Sequence, residues 1–225
     1  MKKLIAFGIA IIAVISIILI KYDDIKAYYT HTEIKSNKFS VGNVEVTVTE
    51  PNYINNQVLV PNQTITKDPT YANTGSVDCY LRAQIYVPIS KDIKYVDANE
   101  NVITPDTEID LLTYTLNDGW TEVVDDPADE MKFSGIYEDS KGNKYRVRTY
   151  KYMESGEEKV IDAGETIVTP VFSAVSTINY LDLDSAVNLK MYASAIAVQS
   201  EDGTAEEMWE IFKNQNGTGI IGIDE

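Results

Sequence analysis

The sequence predicts an all-β protein, an antiparallel β-sandwich carrying one short amphipathic helix near its C-terminus and a few loop insertions. Three observations carry this prediction. Apolar and polar residues alternate with a period of two over much of residues 38–199, turn-forming clusters recur at short intervals, and no helical segments alternate with the strands. That combination argues for hairpins in an antiparallel sandwich and against a parallel sheet.

The first strand reads Phe39, Val41, Val44, Val46 and Val48, with Gly42-Asn43 shifting the phase as a bulge does. A second is expected over Val58 to Thr66, cut by Pro61. The clearest runs from Asp78 to Val87, where Leu81, Ala83 and Ile85 point one way and Tyr80, Arg82, Gln84 and Tyr86 the other; Pro88 is expected to end it. Hairpins follow at Tyr95 to Thr104, turning on Asp97 to Asn101, and at Phe133 to Met153, turning on Ser140 to Asn143. Between them, Asp106 to Glu130 is acidic and reads as an exposed insertion with a short strand around Trp120 to Val124. Two long strands, Glu165 to Ile178 and Val187 to Gln199, complete the sheets. Thr204 and Glu207 then form a capping box, and Ala205, Met208, Trp209 and Phe212 share one face of a helix expected to pack on the sandwich.

Lys2 and Lys3 precede an apolar run from Leu4 to Ile20, broken only by Ser16 and ended by Lys21, which is the pattern of an export signal. The run lies near the lower limit of roughly 17–25 residues for a bilayer span and above the usual core of a removable signal. Its length leaves a cleaved and an anchored form open. Ala27 suits the small-residue pocket ahead of a scissile bond and favours cleavage between Ala27 and Tyr28, with β-branched Ile25 two positions earlier where small residues are usual. The basic start keeps this end cytoplasmic and sends the remainder outside. Residues 1–27 are expected to be a signal peptide, 28–37 a flexible N-terminal segment, and 38–225 a single β-sandwich domain. Membrane contact is expected only through residues 4–20, in an uncleaved form.

The formal net charge is −16, and removal of residues 1–27 takes away four Lys and two Asp, leaving the remainder more acidic still. Such a field disfavours nucleic acid and bare anionic membrane as partners. Solubility and controlled association explain the charge more simply than a dedicated cation site. Cys79 is the only cysteine, so no intrachain disulfide can brace an exported domain; its phase with Leu81, Ala83 and Ile85 reads as core. His31 is the only histidine, which cannot by itself build a zinc site of two or three His or the pair needed for His-Glu-x-x-His. No catalytic residue and no cofactor is expected.

Calcium is a fairer question, because its ligands are hard oxygens. Asp97, Asn99, Asn101 and Glu108 stand at EF-hand-like positions, but Val102 takes the place of the turn Gly and Pro105 breaks the loop, so a hairpin turn is preferred. Asp182 with Asp184, and Asp125 to Glu130, are weaker calcium candidates. Fifteen tyrosines, several at outward positions such as Tyr80, Tyr86, Tyr150 and Tyr152, suit either a contact surface or cross-strand pairing.

Ala27-Tyr28-Tyr29-Thr30-His31-Thr32-Glu33 directly after an export signal, then Asn37 to Val44, resembles the TasA/camelysin family of Gram-positive bacteria. Lys67-Asp68-Pro69-Thr70 and Asn73-Thr74-Gly75-Ser76, running into Asp78 to Val87, resemble its two turns, and Ala195 to Gln199 followed by Thr204 to Trp209 resembles its C-terminal strand and helix. The middle, about 90–185, is unmatched by this resemblance. His31 stands where the family usually has Asp. The resemblance implies export by Sec, processing by a SipW-type signal peptidase, a jelly-roll-like sandwich and assembly into biofilm matrix fibres. Camelysin members have been described as metalloproteases, which the absence of a zinc-binding helix puts in doubt here.

The expected function is a secreted structural subunit of extracellular biofilm matrix fibres, with the chain itself, a signal peptidase and an anchoring matrix protein as partners. Assembly is expected when the segment Tyr28, Tyr29, Thr30, His31, Thr32, Glu33 and Ile34 completes a neighbour's sheet. The alternatives are a camelysin-like secreted metalloendopeptidase and a surface binding module that does not polymerise.

Overall fold

The computed structural model of the chain describes residues 30–33, 43–53, 59–183, 189–200, 203–215 and 219–223. At its centre runs the strand Cys79–Ser90, in which every residue but the last is buried. It pairs antiparallel with Tyr192–Gln199 on one side and Lys144–Glu154 on the other. The large sheet then extends to Thr30–Glu33 at one edge and Trp120–Glu122 at the other, with four short strands joined to its two longest members.

A strand buried on both faces needs a layer on each. On the inner face, Cys79, Leu81, Ala83, Ile85 and Val87, with Ala195, Ala197 and Tyr150, meet two three-stranded sheets. One of these joins Val46–Thr49, Thr70–Asn73 and Thr166–Ile167; the other joins Thr64–Thr66, Ala174–Thr177 and Leu112–Tyr114. This is the predicted all-β sandwich, its second layer divided in two. A further small sheet joins Ile93–Val96 to Val102–Ile103 and Tyr180–Leu183.

The outer face is closed by the C-terminal end of the chain. The helix Ala205–Gln215, capped by the Thr204–Glu207 exchange of hydrogen bonds, lays Met208, Trp209 and Phe212 over Tyr80, Ile196 and Val198. Beyond it, Ile220 and Ile223 pack with Tyr86, Tyr145 and Val147. Tyr80 and Tyr86 are therefore interior, the outward positions expected for them being covered, and Tyr150, also expected to face outward, is buried on the inner face.

Three expectations about elements are corrected. Pro88 lies inside the central strand, because its nitrogen faces the side where the Tyr192–Gln199 strand has already ended, and its carbonyl accepts from Leu111 N–H at 2.9 Å. Asp106 to Glu130 is in large part built into the fold: Leu111, Leu112 and Trp120 are buried, and strands occupy Ile109–Asp110 and Leu112–Tyr114 as well as Trp120–Glu122. Glu165 to Ile178 is two short strands in different sheets, Thr166–Ile167 and Ala174–Thr177, separated by a crossing that contains Pro170.

Gln84 ties the C-terminal end to the centre. Its side-chain nitrogen donates toward the carbonyl oxygens of Gly219 at 2.6 Å and Phe133 at 3.2 Å, and its oxygen accepts from Ile221 N–H at 3.2 Å. The Tyr86 hydroxyl donates to the Ile221 carbonyl at 2.6 Å. A buried amide is tolerated here because both of its ends are satisfied.

The two turns named above are structural devices. Buried Lys67 pairs with Glu50 at 2.6 Å and stands over the Tyr53 ring, while Asp68 accepts from both the backbone and side-chain nitrogens of Asn52. Fully buried Asn73 donates to the carbonyls of Val77 and Ile161 and accepts from Gly75 N–H. A Cβ on Gly75 would lie 2.1 Å from the Asn43 carbonyl oxygen, so only glycine fits.

Gln84→Ala leaves Gly219 O and Ile221 N–H without their side-chain partner, Phe133 O keeping its bond from the Thr149 hydroxyl, and is expected to cost about 3 kcal/mol in chemical denaturation, with faster hydrogen exchange at Ile221. Gly75→Ala forces backbone against backbone and is expected to lower stability by about 2 kcal/mol in the same measurement.

Candidate functional site

The strand Tyr192–Gln199 has one long side paired to the centre of the sheet and would leave the other open. Ala195, Ile196, Ala197 and Val198 are buried, the two alanines facing the sandwich and Ile196 and Val198 facing the helix. An open edge with both faces covered exposes unpaired N–H and C=O groups in surroundings that hydrate them poorly, which is costly. Thr30–Glu33 closes this edge by antiparallel pairing, Thr30 opposite Val198, His31 opposite Ala197, Thr32 opposite Ile196 and Glu33 opposite Ala195. Four of the residues expected to act in assembly are thus placed against a receptive sheet edge. Ala27, Tyr28, Tyr29 and Ile34, and residues 4–20, lie outside the described residues. What the arrangement offers is backbone hydrogen bonding, which pairs any extended segment of suitable length and shape.

Several of the candidate metal ligands are engaged in other ways. Asp97 accepts from Asn99 N–H at 2.8 Å and Asn101 N–H at 2.9 Å, and Asp139 accepts in the same manner from Lys141 N–H at 2.9 Å and Asn143 N–H at 2.8 Å. One Asp-x-x-x-Asn device therefore closes two hairpins, a repeat visible in the sequence at Asp97–Asn101 and Asp139–Asn143. The left-handed fourth position is Gly142 in one turn and Glu100 in the other. Asp125 caps the N–H groups of Phe133 and Ser134 at 2.9 Å each, and Asp129 pairs with Lys213 at 2.6 Å. The side chains of Asp182 and Asp184 lie outside the described residues.

A profile described as camelysin metallo-endopeptidase matches residues 1–135. The chain belongs to this family. No curated protein and no solved structure matches it. The camelysin match covers Thr30–Glu33, the Lys67-Asp68-Pro69 and Asn73-Thr74-Gly75 turns and the central strand. It continues through residues 90–135, which the sequence resemblance had left unmatched, and stops short of the Tyr192–Gln199 edge that Thr30–Glu33 completes.

A metallo-endopeptidase description implies a metal, and the donor set can be tested against one. The sole histidine, His31, has its backbone paired to Ala197. The sole cysteine is sealed in the core, its thiol pushed up to about 12 by burial, with the carboxylates of Asp78 and Glu165 acting in the same direction. Among the described residues no three His, Cys, Asp or Glu side chains gather as metal ligands. These residues do not fit a catalytic zinc. Among the described residues, too, no helix is long and apolar enough to cross a membrane.

The hairpin carboxylates make the fold sensitive to acid. Hydrogen bonds from Asn101, chiefly its backbone N–H, hold Asp97 below the ordinary carboxylate range. At Asp139 desolvation pushes upward, but the side-chain and backbone donors of Asn143 outweigh it and the net shift is downward. A folded-state pKa below the unfolded value gives stability that is present above about pH 4 and lost as the pH falls through the folded value. In an Asp97→Asn, Asp139→Asn double variant, the melting temperature is expected to lie below that of the unaltered chain near neutrality, the gap narrowing on acidification toward about pH 2. Calorimetry across that range measures the convergence.

Proposed function

We propose that this camelysin-family chain is exported, loses residues 1–27, and serves as a structural subunit of extracellular fibres in which the segment containing Thr30–Glu33 completes the sheet of a neighbouring copy. The observation that supports this reading is the pairing of Thr30–Glu33 with Ala195–Val198. An element that closes its own sheet can close an identical sheet in another copy with the same register, which is the logic of strand exchange. Head-to-tail exchange leaves one unfilled edge and one unused segment at the ends of every oligomer, so it propagates as a filament unless a rotation closes it into a ring. The chain's charge of −16 opposes close approach of copies, so pairing is expected to accelerate as salt screens that repulsion.

A chain lacking residues 28–37 is expected to remain folded and to lose polymerisation; fibres from that variant would sink the proposal. A sharper version replaces the register partners His31 and Ala197 with cysteine. Oxidation then locks the segment onto its own sheet, and the protein should stay monomeric by light scattering until a reductant is added. Buried Cys79, with its thiol held protonated, takes no part. Identification of the N-terminal residue of the secreted protein tests the cleavage step. Cleavage of casein by the purified chain, abolished by a chelator, would favour instead the endopeptidase activity that the family description names.

A further inference from the structure

The charge of −16 is not spread evenly over the molecule. Residues 51–66, 69–77, 111–117 and 166–181 contain no Asp, Glu, Lys or Arg, in a chain that is 24% charged. These segments supply five of the six strands in the two three-stranded sheets that face the centre, and the sixth, Val46–Thr49, is uncharged as well. One side of each strand faces the core, which accounts for its apolar residues. Core packing does not account for the lack of charge on the other side.

The two sheets form one layer. The chain through Thr64–Thr66 and Thr70–Asn73 runs antiparallel to the chain through Thr166–Ile167 and Ala174–Thr177, and the two are also bonded between the sheets, Lys67 N–H to Ser173 O at 3.3 Å and Val171 N–H to Pro69 O at 3.0 Å. Facing away from the core, every strand position of this layer is Thr, Ser or Ala. Lys67 and Asp68, between the sheets, are buried, the first against Glu50 and the second against Asn52. The hydroxyls bond along the face: Thr49 Oγ1 to Thr70 Oγ1 at 2.8 Å, Thr64 Oγ1 to Ser176 Oγ at 2.7 Å, and Thr113 Oγ1 to the Ser176 carbonyl at 3.4 Å. Because they already have partners, they lose little when an apposed surface displaces water. Beside Thr166–Ile167, Val168 is 84% exposed.

We propose that this charge-free face docks a second copy of the chain, face to face about a two-fold axis. Depletion of charged residues is the compositional mark of a protein interface. Charge also selects the occupant. Two chains of charge −16 that meet through their acidic surfaces set carboxylates against each other, whereas a two-fold contact through this layer sets uncharged surface against itself and leaves the acids outside, where salt screens them. A neutral sugar would avoid the same repulsion, but the outward strand positions offer it no aromatic ring and their hydroxyls are bonded to one another. Roughly a dozen outward positions fall short of the roughly 20–30 residues a side of a standard stable interface, so the pair is weak and single chains prevail at micromolar concentration. The face lies in the other layer from the sheet that Thr30–Glu33 completes, and docking there does not require strand exchange.

The test uses the full chain in neutral detergent, with His31→Cys and Ala197→Cys oxidised so that strand exchange cannot hold two copies together, and with the photo-crosslinker benzoylphenylalanine in place of Thr113. Irradiation at about millimolar concentration is expected to give a covalent dimer, joined to residues 46–49, 64–72, 112–115 or 166–176 of the other copy, in a yield that rises with salt. The crosslinker in place of exposed Ile136, outside the face, is expected to give at least about tenfold less. The triple variant Thr64→Glu, Thr166→Glu, Val168→Glu is expected to lower the yield from position 113 at least about tenfold, while Val102→Glu, Val124→Glu, Ile136→Glu lowers it less than about threefold. No dimer, attachment to other segments, or an equal fall in both triple variants overturns the proposal. Binding of soluble dextran that the face variant abolishes, with no dimer, overturns it in favour of a sugar as occupant. Because the locked chain cannot exchange strands, its dimer stands even where the reduced chain forms no fibres, and fibres from a reduced chain whose locked form gives no dimer leave strand exchange standing alone.

Discussion

Burial of the central strand Cys79–Ser90 on both faces is the constraint on which the rest of the molecule depends. A strand that shows no face to water has to be covered twice, and the chain does so with unlike materials. The inner cover is conventional, two small sheets meeting an aliphatic face of Leu81, Ala83, Ile85 and Val87. The outer cover is the last part of the chain, a helix and a short tail, laid on a face of Tyr80, Arg82, Gln84 and Tyr86. That second face can be polar because each polar group has a partner, Gln84 and Tyr86 in the tail and Arg82 in Glu158.

The same double covering gives the sheet edge its character. Because Ala195–Val198 is enclosed between sandwich and helix, leaving its outer side unpaired is more costly than at an ordinary exposed edge. The Thr30–Glu33 segment relieves that cost through backbone bonds, without needing particular side chains. Such pairing needs no reactive group, and the chain has one histidine and a buried cysteine. Its abundant acids serve the backbone instead: Asp97, Asp125 and Asp139 each hold N–H groups of nearby turns.

The large sheet ends in two kinds of edge. On the Tyr192–Gln199 side the sheet is closed by Thr30–Glu33, whereas on the Trp120–Glu122 side no further strand pairs with it among the described residues.

The sequence by itself determined the fold class, the central strand, both hairpins and the helix, because period-two alternation, Asp/Asn/Gly turns and a capping box are local signals. It also carried the family, through the turns at Lys67-Asp68-Pro69 and Asn73-Thr74-Gly75, which occur where the backbone leaves room for little else. Only the tertiary structure decided which side of each strand was covered. The alternation that set Tyr80 and Tyr86 opposite Leu81 and Ile85 was read correctly, but their burial depends on a helix and tail more than a hundred residues away. Pro88 looked like a strand end because its missing N–H matters only on the side where a partner runs, and partner length is a tertiary property. Glu165 to Ile178 looked like one strand because the step from one sheet to another leaves the apolar pattern intact. The segment proposed for assembly lies between these cases: its strand-forming residues are legible, but the edge that receives Thr30–Glu33 is some 160 residues downstream and is joined to it by backbone register, which no local pattern encodes.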